Sequence, residues 1–443
     1  MHERILESVD EIISPRWLIP VVPEAQVLEN HSVAIRNGRI LAVLPNRELE
    51  NRYTSEQHVR LEGHALIPGL VNAHTHAAMT LLRGYADDLS LNQWLHEHIW
   101  PVESRNVSAE FVADGSRLAI AEMLRGGITC FNDMYFFADQ TARVAREMGM
   151  RVCIGLIVLN FPTVWVRDPI EYMDKAVEVH DQFRTEALVH TAFAPHAPYT
   201  VADGPLRQIG VYAEEMDVQI HMHLHETEQE LTDSLSEHGC RPLARLKRLG
   251  LLSNRLAAVH LTHLNAEDLE LLATHGVNAI HCPESNLKLA SGICPLKAIV
   301  EAGINVGLGT DGAASNNDLD LLAEMRSAAL LAKGASADAT VLPAAKALYC
   351  ATQGGANALG LGAEIGSIEV GKSADLAAIH LYEVDTLPIY NPISSIVYAA
   401  NRRQFTDLWV AGRRLLAHGQ LLNTDLQALC KTALTWQNRI SAQ

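Results

Sequence analysis

The amino-acid sequence predicts an α/β protein, a (β/α)8 barrel joined to a smaller β domain that both chain ends build. Eight apolar, strand-like runs alternate with amphipathic helical stretches through the middle of the chain, the order that such a barrel requires. The chain has 443 residues, more than one hydrophobic core usually supports. Both ends carry short strand patterns instead. We therefore assign residues 66–365 to the barrel, and residues 1–65 with 366–443 to the β domain.

Both terminal regions contain signals for short strands. Val33–Arg36 and Arg39–Val43 flank Asn37-Gly38, a dipeptide that is typical of type I′ hairpin turns. Residues 366–379 are predicted as a strand, a turn and a second strand. We expect this second unit to rejoin the N-terminal strands, so that both chain ends build one small domain.

The central region contains the predicted barrel elements. Helical patterns such as Ser108–Leu124 and Ala138–Glu147 separate the strand-like runs. A doubly wound open sheet is the alternative, but no G-x-G-x-x-G motif opens the first helix, and polar residues follow many strands rather than one switch point. The predicted barrel strands are Leu66–Val71, Ile128–Asn132, Arg151–Val158, Val189–Ala194, Val218–His223, Leu256–His260, Val277–His281 and Ile304–Gly309.

Composition limits the classes of partner. The chain has 35 basic and 52 acidic residues and a net charge of -17, which argues against nucleic acid or an anionic membrane. The longest apolar run, Val152–Leu159, is far too short to span a membrane. Seven cysteines without a C-x-x-C pair, and an N-terminus without a signal-peptide pattern, indicate the reducing cytoplasm. We expect a cytoplasmic homo-oligomer with a small-molecule substrate.

A pair of histidines ends the first predicted barrel strand. In the segment Ile67–His76, His74 and His76 are one residue apart, so that both side chains point to the same face of a strand. Two imidazoles on one face can bind the same metal ion, whereas a single histidine cannot. The alternative is a pair of partly exposed histidines at a strand end.

The segment His221–Thr227 places three histidines at period two, beside a glutamate. His221, His223 and His225 would share one face of a strand, and the sequence pattern leaves open which of them binds a metal. Structural histidines near the top of a barrel are the alternative, although three in register beside Glu226 favour a functional site.

Two more strands end in candidate site residues. His260 follows an apolar run, although a single histidine there is more typical of packing. Asp311 follows the eighth strand between Gly309 and Gly312, where an Asx turn is the alternative. Three imidazoles and one carboxylate suit Zn²⁺, with Fe²⁺ as the alternative, and leave a coordination position for water. A metal ion activates water, and a nearby free Glu and His transfer protons, so the set indicates a hydrolase.

These motifs resemble the amidohydrolase superfamily and, within it, the branch of 5′-methylthioadenosine/S-adenosylhomocysteine deaminases and triazine hydrolases. The order and spacing of the matching segments extend over most of the chain. The segments are Pro68–His76, Trp100–Glu103, Ala194–Tyr199, His223–Thr227, Pro283–Gly292, Gly309–Asn317 and Gly366–Leu376.

The resemblance implies a barrel with a composite β-sandwich domain and one metal ion per chain. It also implies roles for individual residues of this sequence. Those roles are metal ligation by His74, His76, His223 and Asp311; proton transfer by Glu226; contact with the ribose by Glu103 and with the purine by His196; and polarisation of the attacking water by His260, with His263 as the alternative.

Two further residue patterns bear on the substrate and on the number of metal ions. Arg167 follows the third strand; it either contacts the amino-acid tail of S-adenosylhomocysteine or is an ordinary surface arginine. The region Val189–His196 contains no lysine, so we do not expect the two-metal arrangement that a carbamylated lysine bridges.

The resemblance therefore predicts hydrolytic deamination at C6 of an adenine nucleoside. Attack by water would be assisted by Asp311 and His260, and Glu226 would protonate the ring nitrogen. The alternatives are hydrolysis of guanine, a pyrimidine or a chlorotriazine on the same scaffold, an inactive metal-binding protein, and a ring-opening amidase with two metal ions. The sequence leaves open the native metal and the preference among 5′-methylthioadenosine, S-adenosylhomocysteine and adenosine.

Overall fold

The computed structural model of the protein describes residues 6–442. Its central unit is the predicted barrel, in which eight parallel strands are paired in chain order. Every residue of six of these strands is buried, and each of the other two has one half-buried residue, His190 or Gln219, because helices cover the outer face. The strands are Leu70–Thr75, Ile128–Tyr135, Arg151–Val158, Val189–Pro195, Gln219–Leu224, Leu256–His260, Asn278–His281 and Val306–Leu308.

The first barrel strand begins later than predicted. Residues 66–68 belong to Gln57–Pro68, a strand of the other sheet, and the barrel strand starts at Leu70. Gly69 lies between the two, donates its N–H to the carbonyl of Asp375, and has no room for a side chain, since a Cβ there would lie 2.0 Å from Thr129 Oγ1. The apolar run therefore continues from one sheet into the next, and its hydrophobicity does not mark the junction.

Side chains help to close the barrel between its first and eighth strands. The amide of Asn72 donates to Thr310 Oγ1 (2.8 Å) and accepts from the backbone of Thr310 (3.0 Å). The N–H of Asp311 donates to the carbonyl of His74 (3.0 Å). A Cβ at Gly309 would lie 2.8 Å from the Cβ of His74, so glycine permits this close approach. Closure therefore places Asp311 beside His74.

Helices follow the strands and form the outer layer. Ser108 caps the first of them by accepting a hydrogen bond from the backbone of Phe111, and Gly149 ends the second in a left-handed conformation, as helix ends favour. The outer helices are Ala109–Arg125, Ala138–Met148, Pro169–Phe183, Asp203–Glu215, Glu228–His238, Pro242–Arg248, Ala266–His275, Leu296–Glu301 and Leu321–Ser336. Further helical segments within residues 6–442 are Asn46–Glu50, Ala77–Leu82, Leu91–Gln93, Trp94–Ile99, Trp100–Asn106, Pro283–Lys288, Ala313–Asn316, Ala344–Tyr349, Cys350–Gly354, Gly355–Ala358, Pro392–Tyr398, Arg402–Gln404 and Leu426–Ser441.

The second unit is a β-sheet domain from both chain ends, as predicted. Its two halves meet where Leu376–His380 pairs antiparallel with Gln57–Pro68. The predicted hairpin is present, since Asn37 and Gly38 have φ angles of 52° and 75°. The strands of its nine-stranded sheet are Glu11–Leu18, Leu28–Glu29, His31–Arg36, Arg39–Pro45, Gln57–Pro68, Leu376–His380, Phe405–Val410, Arg413–Ala417 and Gln420–Leu421; Glu7–Ser8 and Tyr53–Thr54 form a separate pair.

One strand of the C-terminal prediction is wrong. Residues 366–372 are irregular, and only an isolated bridge between Ser373 and Arg39 precedes the strand Leu376–His380. The segment bonds to the N-terminal half at single points instead, such as the N–H of Ile368 to the carbonyl of Pro20 (3.0 Å). Its alternating residues fit a strand pattern, but turns at both ends leave too few residues to form a ladder.

Side-chain contacts also connect the units. Arg151 of the third barrel strand forms a buried, two-pronged ion pair with Asp375, which precedes the strand Leu376–His380. The C-terminal helix Leu426–Ser441 packs on the barrel helix Ala109–Arg125, where Trp436 contacts the ring of Phe111 edge-on. Within residues 6–442, the helices are all too short or too polar to cross a bilayer.

Candidate metal centre and active site

Four side chains meet at the carboxyl-terminal end of the barrel. His74 belongs to the first strand and His223 to the fifth. His76 directly follows the first strand, and Asp311 lies three residues after the eighth strand ends. Asp311 Oδ1 lies 3.4 Å from His74 Nε2 and 3.3 Å from His76 Nε2, and the Nε2 atoms of His74 and His223 are 3.2 Å apart. These are the residues that the resemblance assigns to the metal.

The spacing of these atoms fits a metal ion. Zinc bonds to nitrogen and oxygen of roughly 2.05 Å in a tetrahedral site place neighbouring ligand atoms about 3.3 Å apart. The three measured separations are 3.2 to 3.4 Å. Imidazole nitrogen and carboxylate oxygen also suit zinc and Fe²⁺ chemically. The donor set therefore forms a candidate metal site.

Hydrogen bonds at the far side of each ring orient the imidazoles. Nδ1 of His76 lies 2.5 Å from the carbonyl of Met134, and Nδ1 of His223 lies 2.8 Å from the carbonyl of His196. A carbonyl only accepts, so each Nδ1 carries the proton and donates, which leaves the Nε2 lone pair for a metal. Nδ1 of His74 lies 2.8 Å from Nε2 of a fourth histidine, His221.

The electrostatics of the site favour a cation. Burial raises the pKa of Asp311, but hydrogen bonds from His74 and His76 hold it well below its usual range. Burial lowers the pKa of His74 to about 4 and that of His223 well below normal, so both imidazoles are neutral, the form that binds metals. Although burial opposes it, Asp311 raises the pKa of His76 to about 9. Positive charge, carried by a proton or a metal ion, is therefore stabilised here.

The structure distinguishes the three histidines of the segment His221–Thr227, which the sequence pattern left equivalent. His221 and His223 lie on the strand Gln219–Leu224 and both reach His74. His225 follows the strand with a φ of 53°, and its ring bonds instead to the carbonyl of His263 and to the N–H of Leu243. Strand alternation stops at Leu224, so the period-two pattern does not extend to His225.

Glu226 and His260 lie beside the metal-binding atoms. Nε2 of His260 is 3.8 Å from Oε2 of Glu226, and its Nδ1 is 2.8 Å from the amide oxygen of Asn286. His260 also lies close to His74 and His223, and these three histidines form a second, overlapping group of potential ligands. Burial raises the pKa of Glu226, so this carboxyl holds a proton more readily than an exposed glutamate does, as proton transfer requires. His263 is only partly buried and does not line the cavity.

A cavity of about 250 Å³ opens above the candidate metal site. Glu103 and His196 line it together with Glu226 and His260. The hydroxyl of Tyr135 donates a short hydrogen bond to Glu103. Burial raises the pKa of Glu103 to about 7, and this hydrogen bond limits the shift.

Arg167 is exposed and is not among the residues that line the cavity. The structure thus brings together all the predicted site residues except this one. It also adds Ser285, whose hydroxyl donates to Asp311 Oδ2 (2.6 Å), and Ser291, which lies 3.3 Å from Glu226. Both lie in the matching segment Pro283–Gly292, but hydroxyls are too common in sequences for their partners to be inferred.

Several known proteins are similar to this chain. The model of the amidohydrolase family matches residues 65–415. The 5-methylthioadenosine/S-adenosylhomocysteine deaminase of Teredinibacter turnerae is 44% identical over 436 residues, which cover 98% of this chain and 99% of that protein. The protein of the same name from Saccharophagus degradans is 45% identical over 434 residues, covering 98% and 97%.

Solved structures agree with this relationship. A zinc-bound adenosine deaminase from Xanthomonas campestris is 51% identical and superposes with a TM-score of 0.98, covering 99% of this chain and all of that one. The zinc-bound atrazine chlorohydrolase of Arthrobacter aurescens, at 23% identity, a TM-score of 0.89 and coverage of 96% and 99%, shares the fold. The extent of the family match and the identity to these relatives show that the chain belongs to the amidohydrolase family, whose members are metal-dependent hydrolases.

Proposed function

We propose that the protein is a zinc-dependent deaminase that converts the 6-amino group of an adenine nucleoside to a carbonyl and releases ammonia. The observation that carries the proposal is the position of Glu226 and His260, 3.8 Å apart, in a cavity that three of the four candidate metal ligands also line. Relatives that are 44% and 45% identical carry the name of such a deaminase, which supports the same substrate class.

His74, His76, His223 and Asp311 would hold one zinc ion. A bound zinc ion supplies Lewis-acid activation of a water molecule. Asp311 would accept the proton of the attacking water, and His260, which its contact with Asn286 holds in place, would orient that water towards C6. The buried position of the site keeps these groups from competing solvent.

Glu226 would carry the proton in the reaction. Its raised pKa allows the carboxyl to protonate the ring nitrogen as the water attacks, so that negative charge does not build up on the purine. The tetrahedral C6 centre then expels ammonia after a further proton transfer from the carboxylates. This sequence of steps requires Glu226 to lie near the ring but not to bind the metal.

Glu103 and His196 would position the nucleoside. The Glu103 carboxylate, oriented by the hydroxyl of Tyr135, would accept hydrogen bonds from the ribose hydroxyls. Burial lowers the pKa of His196 to about 3, so that its neutral imidazole is available for a hydrogen bond to the purine.

The proposal is tested by ammonia release from zinc-loaded protein with 5′-methylthioadenosine, adenosine and, as a control base, guanine. Glu226→Gln should retain about one zinc ion per chain, yet lose roughly 10²- to 10⁴-fold in kcat. Glu228→Gln is the matched control, because this exposed glutamate lies two residues further along the chain. Near-normal turnover by Glu226→Gln would remove Glu226 from the mechanism, and turnover of guanine alone would contradict the substrate assignment.

A further inference from the structure

The outer part of the cavity differs in chemistry from its floor. The floor holds the histidines and carboxylates of the metal site, whereas the mouth is lined mainly by apolar side chains. These come from two separate parts of the chain: residues 91–100, which include Trp94 and Trp100, and the loop after the third barrel strand, which includes Phe161 and Val164.

Trp100 and Phe161 face each other at this mouth, with ring centroids 6.0 Å apart. Phe161 is 38% exposed and Val164 is 44% exposed. Apolar side chains that stay partly exposed at the rim of a cavity gain stability when an apolar ligand covers them. The mouth is therefore suited to an uncharged, apolar group.

The charged residues that line the cavity also favour an uncharged ligand group. Among the described residues 6–442, those lining the cavity include no lysine or arginine, whereas Glu103, Glu226 and Asp311 are present. A ligand carboxylate would meet no cationic partner in the lining and three acidic groups below it. Placing a charged group in such surroundings is unfavourable because its lost hydration is not replaced.

We propose that the mouth is a subsite for an uncharged apolar 5′ substituent, and that Trp100 and Phe161 select 5′-methylthioadenosine over S-adenosylhomocysteine. This inference rests on the proposed deaminase function. The thioether methyl group of the first nucleoside would fill the apolar mouth. The zwitterionic amino-acid tail of the second would bring a carboxylate there without a partner.

The test compares kcat/KM for the two thioether nucleosides and for adenosine, using the zinc-loaded protein. An unpaired charged group corresponds to a loss of about 10- to 100-fold, so S-adenosylhomocysteine should be poorer by that factor. Adenosine, which lacks the methylthio group, should be poorer by about tenfold or more. Equal kcat/KM for S-adenosylhomocysteine and 5′-methylthioadenosine would overturn the inference while leaving the deaminase function intact. No turnover of any nucleoside would overturn both.

Variants of the mouth test the residues themselves. Phe161→Ala should lower kcat/KM for 5′-methylthioadenosine about tenfold and change that for adenosine much less. Tyr390→Ala is the matched control, since this tyrosine is 93% exposed and does not line the cavity. An equal loss for both nucleosides in Phe161→Ala would assign the residue to general packing and contradict its selective role.

A variant that introduces a positive charge at the mouth tests the electrostatic argument against S-adenosylhomocysteine. Val164→Arg would place a guanidinium at the mouth and should raise kcat/KM for S-adenosylhomocysteine about tenfold or more, with little change for adenosine. Arg167→Ala should leave the ratio between the two thioether nucleosides unchanged, because Arg167 lies outside the lining. A selective loss of S-adenosylhomocysteine turnover in Arg167→Ala would show that this arginine receives the tail and would overturn the inference.

Discussion

Replacing Arg151 by methionine should destabilise the whole chain, because this residue pairs with Asp375 between the barrel and the β domain. The guanidinium Nε and Nη2 lie 2.9 and 3.1 Å from the two carboxylate oxygens, and the side chains are 2% and 1% exposed. In Arg151→Met the carboxylate would keep only neutral donors, the hydroxyl of Ser373 (2.7 Å) and the N–H of Ala411 (2.8 Å). Its charge would remain buried without a counter-ion.

Removing one partner of a buried ion pair costs about 3–5 kcal/mol. An unfolding entropy of about 2.1 cal/mol/K per residue amounts to roughly 0.9 kcal/mol/K for a chain of this length, so each 1 kcal/mol lowers Tm by about 1 °C. Arg151→Met should therefore lower Tm by about 3–5 °C in calorimetry of the zinc-loaded protein. The substitution should not change the zinc content, because Arg151 is not among the metal-site residues.

Two further variants make this result specific. Arg146→Met removes an exposed ion pair with Glu186, whose side chains are 48% and 36% exposed, and should cost under about 1 kcal/mol. The double variant Arg151→Met/Asp375→Asn removes the stranded charge as well and should be more stable than Arg151→Met alone. The reasoning is refuted if Arg151→Met costs no more than Arg146→Met, or if the second substitution restores nothing.

Two more predictions concern the active site. Because burial raises the pKa of Glu103 to about 7, its carboxylate becomes protonated as pH falls through this value. KM for adenosine should therefore rise about tenfold per pH unit below 7 and level off above it. Glu103→Gln should have a higher KM that does not change with pH. When His74 Nε2 binds zinc, its Nδ1 carries the proton and donates to Nε2 of His221, 2.8 Å away. His221→Ala removes this acceptor and should weaken zinc binding about 10- to 100-fold in competition with a chelator; His221→Gln, which offers an acceptor, should recover part of that affinity.

Specific results would contradict each of these two predictions. A KM that does not change between pH 5 and 8 in the wild-type protein would show that nucleoside binding does not use the ionised Glu103 carboxylate. If His221→Ala and His221→Gln bind zinc as tightly as the wild type, the contact with His74 does not orient the ligand. If both weaken it equally, the imidazole acts through packing rather than as an acceptor.

Periodicity predicted most elements but not their junctions. The eight barrel strands and the hairpin at Asn37-Gly38 were predicted within a few residues, because buried strands require apolar runs and tight turns require particular residues. The first barrel strand was placed four residues early at its start, since Leu66–Pro68 is as apolar as Leu70–Thr75. Hydrophobicity reports burial but not which of two adjoining sheets buries a strand.

The sequence by itself identified the family and the residue types of the site, because strand ends followed by histidine and aspartate are local features that ordered motifs preserve. The metal-ligand set that the resemblance implies stays a prediction. Only the tertiary structure decided which residues meet. It brought Asp311 to His74, turned His225 away from the site, placed Tyr135 on Glu103 and left Arg167 outside the cavity. Such contacts depend on barrel closure and on where each strand ends, and these follow from packing between residues far apart in the chain rather than from any local pattern.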